Sequence, residues 1–123
     1  MERASDMGLD LAVLPNPYGG AFPANMWGGF SRIGFQRDYL LFERIRELPA
    51  EPLPEGHLVD DYGDEGLEQT DKDNYGDRLQ VVKAGEFKKI QVESIPDLSA
   101  WNLAAIAFLT HLPLEAPVIL YWR

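Results

Sequence analysis

The closing segment Pro117 to Trp122 reads PVILYW, with five successive apolar residues from Val118 onward. A strand with one wet face alternates apolar and polar positions, whereas a run that is apolar throughout needs cover on both faces. The segment is therefore expected at the centre of a sheet, and the rest of the chain must supply the layers around it.

Helical material for those layers lies in two places. In DYLLFERIREL, Asp38 can cap the first turn, and Leu41, Phe42, Ile45 and Leu48 form one apolar stripe that Pro49 terminates. Arg37, Glu43, Arg44, Arg46 and Glu47 are left to face water. In AWNLAAIAFLTHL, Ser99 is the expected N-cap and Pro113 the stop. Trp101, Ala105, Phe108 and Leu112 follow helical spacing, while Leu103, Ile106 and Leu109 lie off that stripe. A helix apolar on so many sides is expected at the centre of the core, covered by several neighbours. AGEFKKI fits one or two further helical turns.

Strand character appears at Leu9, Leu11 and Val13, in FSRIGF, and in RLQVVKA. The resulting order is strand, aromatic loop, strand, helix, acidic loop, strand, short helix, helix, strand. This predicts one α+β domain over residues 7–123, preceded by a disordered tail over 1–6. Its core is a mixed sheet of about four strands, with two main helices packed on one face. With 123 residues there is no room for two independent cores.

Two connectors carry the unusual chemistry. PNPYGGAFPANMWGGF combines three prolines and two glycine pairs with Tyr18, Phe22, Trp27 and Phe30. Such a loop must pack its aromatics on the body or offer them to a partner. The other connector, residues 49–77, is longer than most structureless links inside a compact domain, and its pattern indicates no regular element beyond a short turn near LEQ. Between Val59 and Arg78 it holds Asp60, Asp61, Asp64, Glu65, Glu68, Asp71, Asp73 and Asp77, offset by Lys72 alone. Most of the net charge of -9 therefore belongs to one segment. That balance disfavours direct nucleic-acid binding, which depends on Lys and Arg replacing counterions at phosphates. It favours a partner with a basic surface.

The catalytic and metal signatures are thin. Read as a calcium loop starting at Asp71, DKDNYGD puts Asp73 at position 3, Gly76 at 6 and Asp77 at 7, but Tyr75 and Val82 occupy ligand positions. The segment reads first as a solvated Asp/Asn/Gly turn; a weak calcium or magnesium site on Asp71, Asp73 and Asp77 is the alternative reading, and otherwise no cofactor is expected. Absence of cysteine excludes thiolate sites, and His57 and His111 do not form a zinc motif. His111 is read as a helix C-terminal cap. Ser31, Ser94 and Ser99 lie outside a nucleophile elbow. No export signal, long apolar span or basic amphipathic face is recognisable, so a soluble cytoplasmic protein without membrane attachment is expected.

Four stretches, MGLDLAVLP, RDYLLFERI, YGDRLQVVKAGEF and WNLAAIAFL…LPLEAPVILYW, resemble a group of small uncharacterised bacterial and phage proteins that open Met-Gly-x-Asp-Leu or Met-Gly-x-Asp-Ile. The resemblance covers most of residues 7–122. It implies no established activity, adds a phage or mobile-element connection, and singles out Gly8, Asp10, Tyr75 and Gly76. More distant members read Met-Gly-Cys-Asp-Ile-His, and the cysteine and histidine positions are Leu9 and Ala12 here, so a metal role would not carry over. Asp10 is otherwise read as a strand-end carboxylate bonded to nearby backbone.

The leading expectation is a non-enzymatic protein-binding module. Asp60, Asp61, Asp64 and Glu65 would steer the partner and Trp27 and Phe30 would anchor it. The competing expectation is a metal-assisted enzyme or divalent-cation-binding protein using Asp10 or the acids of Asp71 to Asp77.

Overall fold

The computed structural model describes residues 10–15, 32–63 and 66–123; for 60–63, 66 and 67 it describes the backbone alone. Its strands are β1 (Leu11–Pro15), β2 (Ile33–Gly34), β3 (Glu51–Pro52), β4 (Val59–Gly63), β5 (Gly66–Thr70), β6 (Gln80–Lys83) and β7 (Pro117–Trp122). Its α-helices are α1 (Tyr39–Arg46) and α2 (Ala100–Thr110), with 3-10 turns at Ala84–Lys89 and Val92–Ser94. The architecture is α+β.

Five strands form one sheet in the order β2-β1-β7-β6-β3, with β7 in the middle as its composition requires. All four pairings are antiparallel, which replaces the expected mixed sheet. The physical reason is connection geometry: the long link between β6 and β7 returns the chain in the reverse direction, so no parallel crossover is made. Leu11 pairs with Trp122, Val13 with Leu120, and Ile119 with both Leu14 and Val81. The four expected strands are all present, and the fifth, β3, is a two-residue edge piece without a hydrophobic pattern.

Side-chain alternation divides the core. Leu11, Val13, Val82, Val118, Leu120 and Trp122 face the helices, where they meet Leu41, Phe42, Ile45, Phe87, Ala105, Ile106 and Leu109. Ala12, Leu14, Leu79, Ile119 and Tyr121 face the other way, against Leu53 and Val59. Each large apolar side chain so covered contributes about 1.5–3 kcal/mol, so β7 is held from both sides. Phe42 meets Trp122 edge to face at 5.6 Å.

Helix α1 matches its pattern closely. Asp38 accepts from the Leu41 N–H at 3.1 Å, and Leu41, Phe42, Ile45 and Leu48 are buried. Arg46 departs from the solvent-facing role expected of it, because its guanidinium lies 4.7 Å from the centre of the Trp122 ring. Arginine stacks readily there, since its planar, weakly hydrated cation is attracted by the ring face.

The acidic run is not a structureless connector. Strands β4 and β5 pair in a separate antiparallel hairpin, rooted at buried Val59. The Asp73 carboxylate then accepts from the Tyr75 and Asp77 N–H groups at 2.8 and 3.1 Å, and Gly76 takes a φ of +83° that a side chain would strain. The turn is tied to the end of β7: the Asn74 N–H donates to the Trp122 carbonyl, and the Tyr121 hydroxyl donates to Asn74 Oδ1.

Candidate interaction surface

Helix α2 begins as expected, with the Ser99 hydroxyl accepting from the Asn102 N–H at 3.0 Å, and it ends at His111, whose Nδ1 lies 2.7 Å from the Ala107 carbonyl. Its placement differs from expectation. Only one side is buried, through Asn102, Ala105, Ile106 and Leu109. Trp101 is 56% exposed, Leu103 47% and Phe108 44%, with Leu114 in the following turn at 55%. The helix therefore sits at the surface of the helical layer instead of the centre of the core. Hydropathy alone could not reveal this, because α2 is apolar on the covered and the uncovered side alike.

Two polar contacts fix how α2 lies. Asn102, 1% exposed, accepts from the Gln36 N–H and donates to the Gln36 carbonyl, both at 2.8 Å. This reciprocal pair fastens the helix to the segment after β2. The Trp101 Nε1–H donates to the Gly34 carbonyl at 2.6 Å. The indole is thus oriented by the fold while more than half of its surface remains uncovered. A large aromatic held in one position loses little conformational freedom on binding, which suits it to anchoring a partner.

The exposed side carries no charge at all: residues 98–114 contain no Asp, Glu, Lys or Arg. Ala100, Ala104, Ala107 and His111 form its crest, all exposed. Along one flank stand Trp101 and Phe108; along the other, Leu103 borders an open groove of about 490 Å³ floored by Phe87, Ile90, Val92 and Ile106. Of the nearby acids, Glu86 faces Lys89 at 2.6 Å and Glu115 faces Lys83 at 2.9 Å, while Glu93 and Asp97 are exposed and Lys88 lines the groove. The Lys83 ammonium is held above its ordinary pKa by the hydrogen bond to Glu115.

The residues singled out from the sequence fall elsewhere. Gly8, Trp27, Phe30, Asp64 and Glu65 lie outside the described residues, and Asp60 and Asp61 are placed in β4 by backbone alone. Of the metal candidates, Asp73 is 8% exposed and accepts backbone N–H groups, while Asp71 faces Arg78 and Lys72 at 3.3 and 3.5 Å. Among the described residues no group of three or more His, Cys, Asp or Glu side chains could hold a metal ion. None of their helices is long and apolar enough to cross a membrane.

Asp10 and Tyr75 do converge. The Arg123 carbonyl accepts from the Asp10 N–H at 2.7 Å and from the Tyr75 hydroxyl at 3.1 Å. The Asp10 carboxylate receives both Nε and a terminal nitrogen of Arg37 at 3.0 and 2.9 Å, which corrects the expectation that it bonds backbone. Arg37 lowers the Asp10 pKa through this hydrogen bond. Each group has a structural partner, so the cluster serves to close the open ends of β1 and β7. Comparison with family models, curated proteins and solved structures finds no match to this chain.

Proposed function

We propose that this chain acts by binding another polypeptide on the outer face of α2. The observation that carries the reading is Trp101, which is oriented by its bond to Gly34 and exposed beside Phe108 on an uncharged helix face. Folding gives no reason to leave these two aromatics and Leu103 in water, where each forfeits burial energy. A partner that covers them recovers it, with Trp101 and Phe108 as anchors and the small crest residues admitting a close neighbour. The acidic run, rooted on the opposite face of the sheet, does not supply the docking face in this reading.

Site-specific photo-cross-linking in cells tests the proposal. A photoreactive residue at position 104 should give a discrete adduct, lost on Trp101→Ala with Phe108→Ala, and the same residue at exposed position 72 should give none. Adducts at position 72 alone would move binding to the acidic turn and end the α2 reading.

A further inference from the structure

We infer that the part of the partner seated beside α2 is an amphipathic helix, basic at one end and acidic at the other; this rests on the proposal that α2 is a docking face. The course of the chain carries the inference. The Gly85 N–H donates to the Leu114 carbonyl at 3.0 Å, shortly after the C-terminal end of α2. Ser99, at the other end of this stretch, caps the N-terminus of the same helix. Residues 85–98 therefore run back along α2 in the opposite direction, and the groove lies between the two.

The charges sort by sign along that groove. Lys88 lines it together with Thr110 and His111, at the C-terminal end of α2. His111 Nδ1 is taken by the Ala107 carbonyl, which leaves Nε2 as its free nitrogen. Glu93 follows Val92 of the groove floor, and Asp97 lies two residues before Ser99, so both exposed acids belong to the N-terminal end. Other charges nearby cancel. Glu86 and Glu115 are paired with lysines, and Arg44 and Glu47 line a separate hollow that shares only Ile90 with the groove. Among the described residues Lys88, Glu93 and Asp97 have no ion-pair partner. A uniformly basic partner would meet Lys88 and His111, and a uniformly acidic one Glu93 and Asp97. A segment of mixed sign complements both ends.

Between those ends the groove is apolar, floored by Phe87, Ile90, Val92 and Ile106 and bordered by Leu103. Helix α2 has 11 residues and is about 16 Å long. Three turns of a second helix match that length, with apolar residues at i, i+3 or i+4, and i+7 turned into the groove. Ala107 in the groove wall and Ala104 on the crest are small, which lets the two helix axes approach to about 8 Å. The rest of the partner crosses Ala104 to reach Trp101 and Phe108.

Fluorescence anisotropy on the purified full chain tests this with three labelled helical peptides of about 15 residues that share one leucine stripe. One carries lysines at one end and glutamates at the other, one lysines at both ends, and one glutamates at both. At low salt the mixed peptide should bind at least about fivefold tighter than either uniform one, and the gap should close at about 0.5 M salt. Lys88→Glu should transfer the preference to the lysine peptide. Glu93→Lys with Asp97→Asn should transfer it to the glutamate peptide, asparagine being tolerated at the Asp97 φ of +59°. Leu103→Ser should weaken all three; no effect there would place the contact elsewhere and overturn the inference. If a uniform peptide binds the parent chain tightest, the ends of the groove do not choose the partner and the inference is wrong. Equal affinities, or no binding below about 1 mM, overturn it as well. If that happens while position 104 still gives an adduct in cells, the docking face stands without a helix of mixed charge. If neither experiment gives binding, both readings fail.

Discussion

Helices α1 and α2 lie on the same face of the same sheet, yet they spend their surfaces differently. Helix α1 buries Leu41, Phe42 and Ile45 and turns Glu43 and Glu47 to solvent. Tyr39 in its first turn is the one large apolar side chain it leaves exposed, at 46%. Helix α2 buries Ala105, Ile106 and Leu109, but turns Trp101, Leu103 and Phe108 outward. Its covered side is also held by a polar residue, Asn102, in a place where an apolar one would pack. The lesson is that apolar content measures what a helix could bury, whereas the sheet and its neighbours determine how much is buried. Among the described residues, α2 carries three of the large apolar side chains left exposed, Trp101, Leu103 and Phe108.

The largest test of that contrast lies on the inner side of α2. Asn102→Ala removes both bonds to Gln36 and leaves its N–H and carbonyl without their partner. A urea melt should show a loss of about 2–4 kcal/mol, the net value of two hydrogen bonds together with the cavity left by a side chain that is 1% exposed. A loss near zero would mean that Asn102 does not hold α2 in place. The outer side should lose binding more than stability. Phe108→Ser, at a ring that is 44% exposed, should cost about 1–2 kcal/mol, whereas adding Trp101→Ser also removes the bond to Gly34. The pair should abolish the α2 cross-links. A Phe108→Ser loss as large as that of Asn102→Ala would show that this aromatic belongs to the fold.

The smallest effect concerns Asp10. Arg37 depresses its pKa, so the pair stabilises the folded state fully above the ordinary carboxylate pKa near about 4. The contribution disappears as pH falls through the depressed value. Asp10→Asn should therefore unfold slightly more easily than the parent at neutral pH and indistinguishably from it in strong acid. The side chains of Arg37 and Asp10 are 44% and 39% exposed, so solvent screening keeps the difference below that of either α2 substitution. An Asp10→Asn deficit that persists unchanged into strong acid would indicate a role for the side chain other than its charge.

Much of the scaffold was legible without coordinates. The central position of β7, the caps Asp38 and Ser99, the α1 stripe and the C-terminal role of His111 are all as read. The acidic run was misread as lacking regular structure because hairpin β4–β5 has few apolar residues to show a period. Its DKDNYGD segment reads first as an Asp/Asn/Gly turn and only alternatively as a metal loop, and Asp73 does fold that turn by accepting from Tyr75 and Asp77. The signal available in advance was the Asp–x–x–Gly spacing of a turn, which the calcium reading shares.

What the sequence determined by itself is therefore α1, α2, the strands β1, β2, β6 and β7, and the two-sided burial of β7. Caps, stops and periodicity act within a few residues, where sterics and hydrogen bonding are fixed by local identity. Tertiary structure alone decided that Asn102 would meet Gln36, 66 residues away, and that Asp10 would meet Arg37, 27 residues away. It also decided which half of α2 would stay outside. An apolar residue carries no mark of the neighbour that will cover it, and that choice exists only once the layers are assembled.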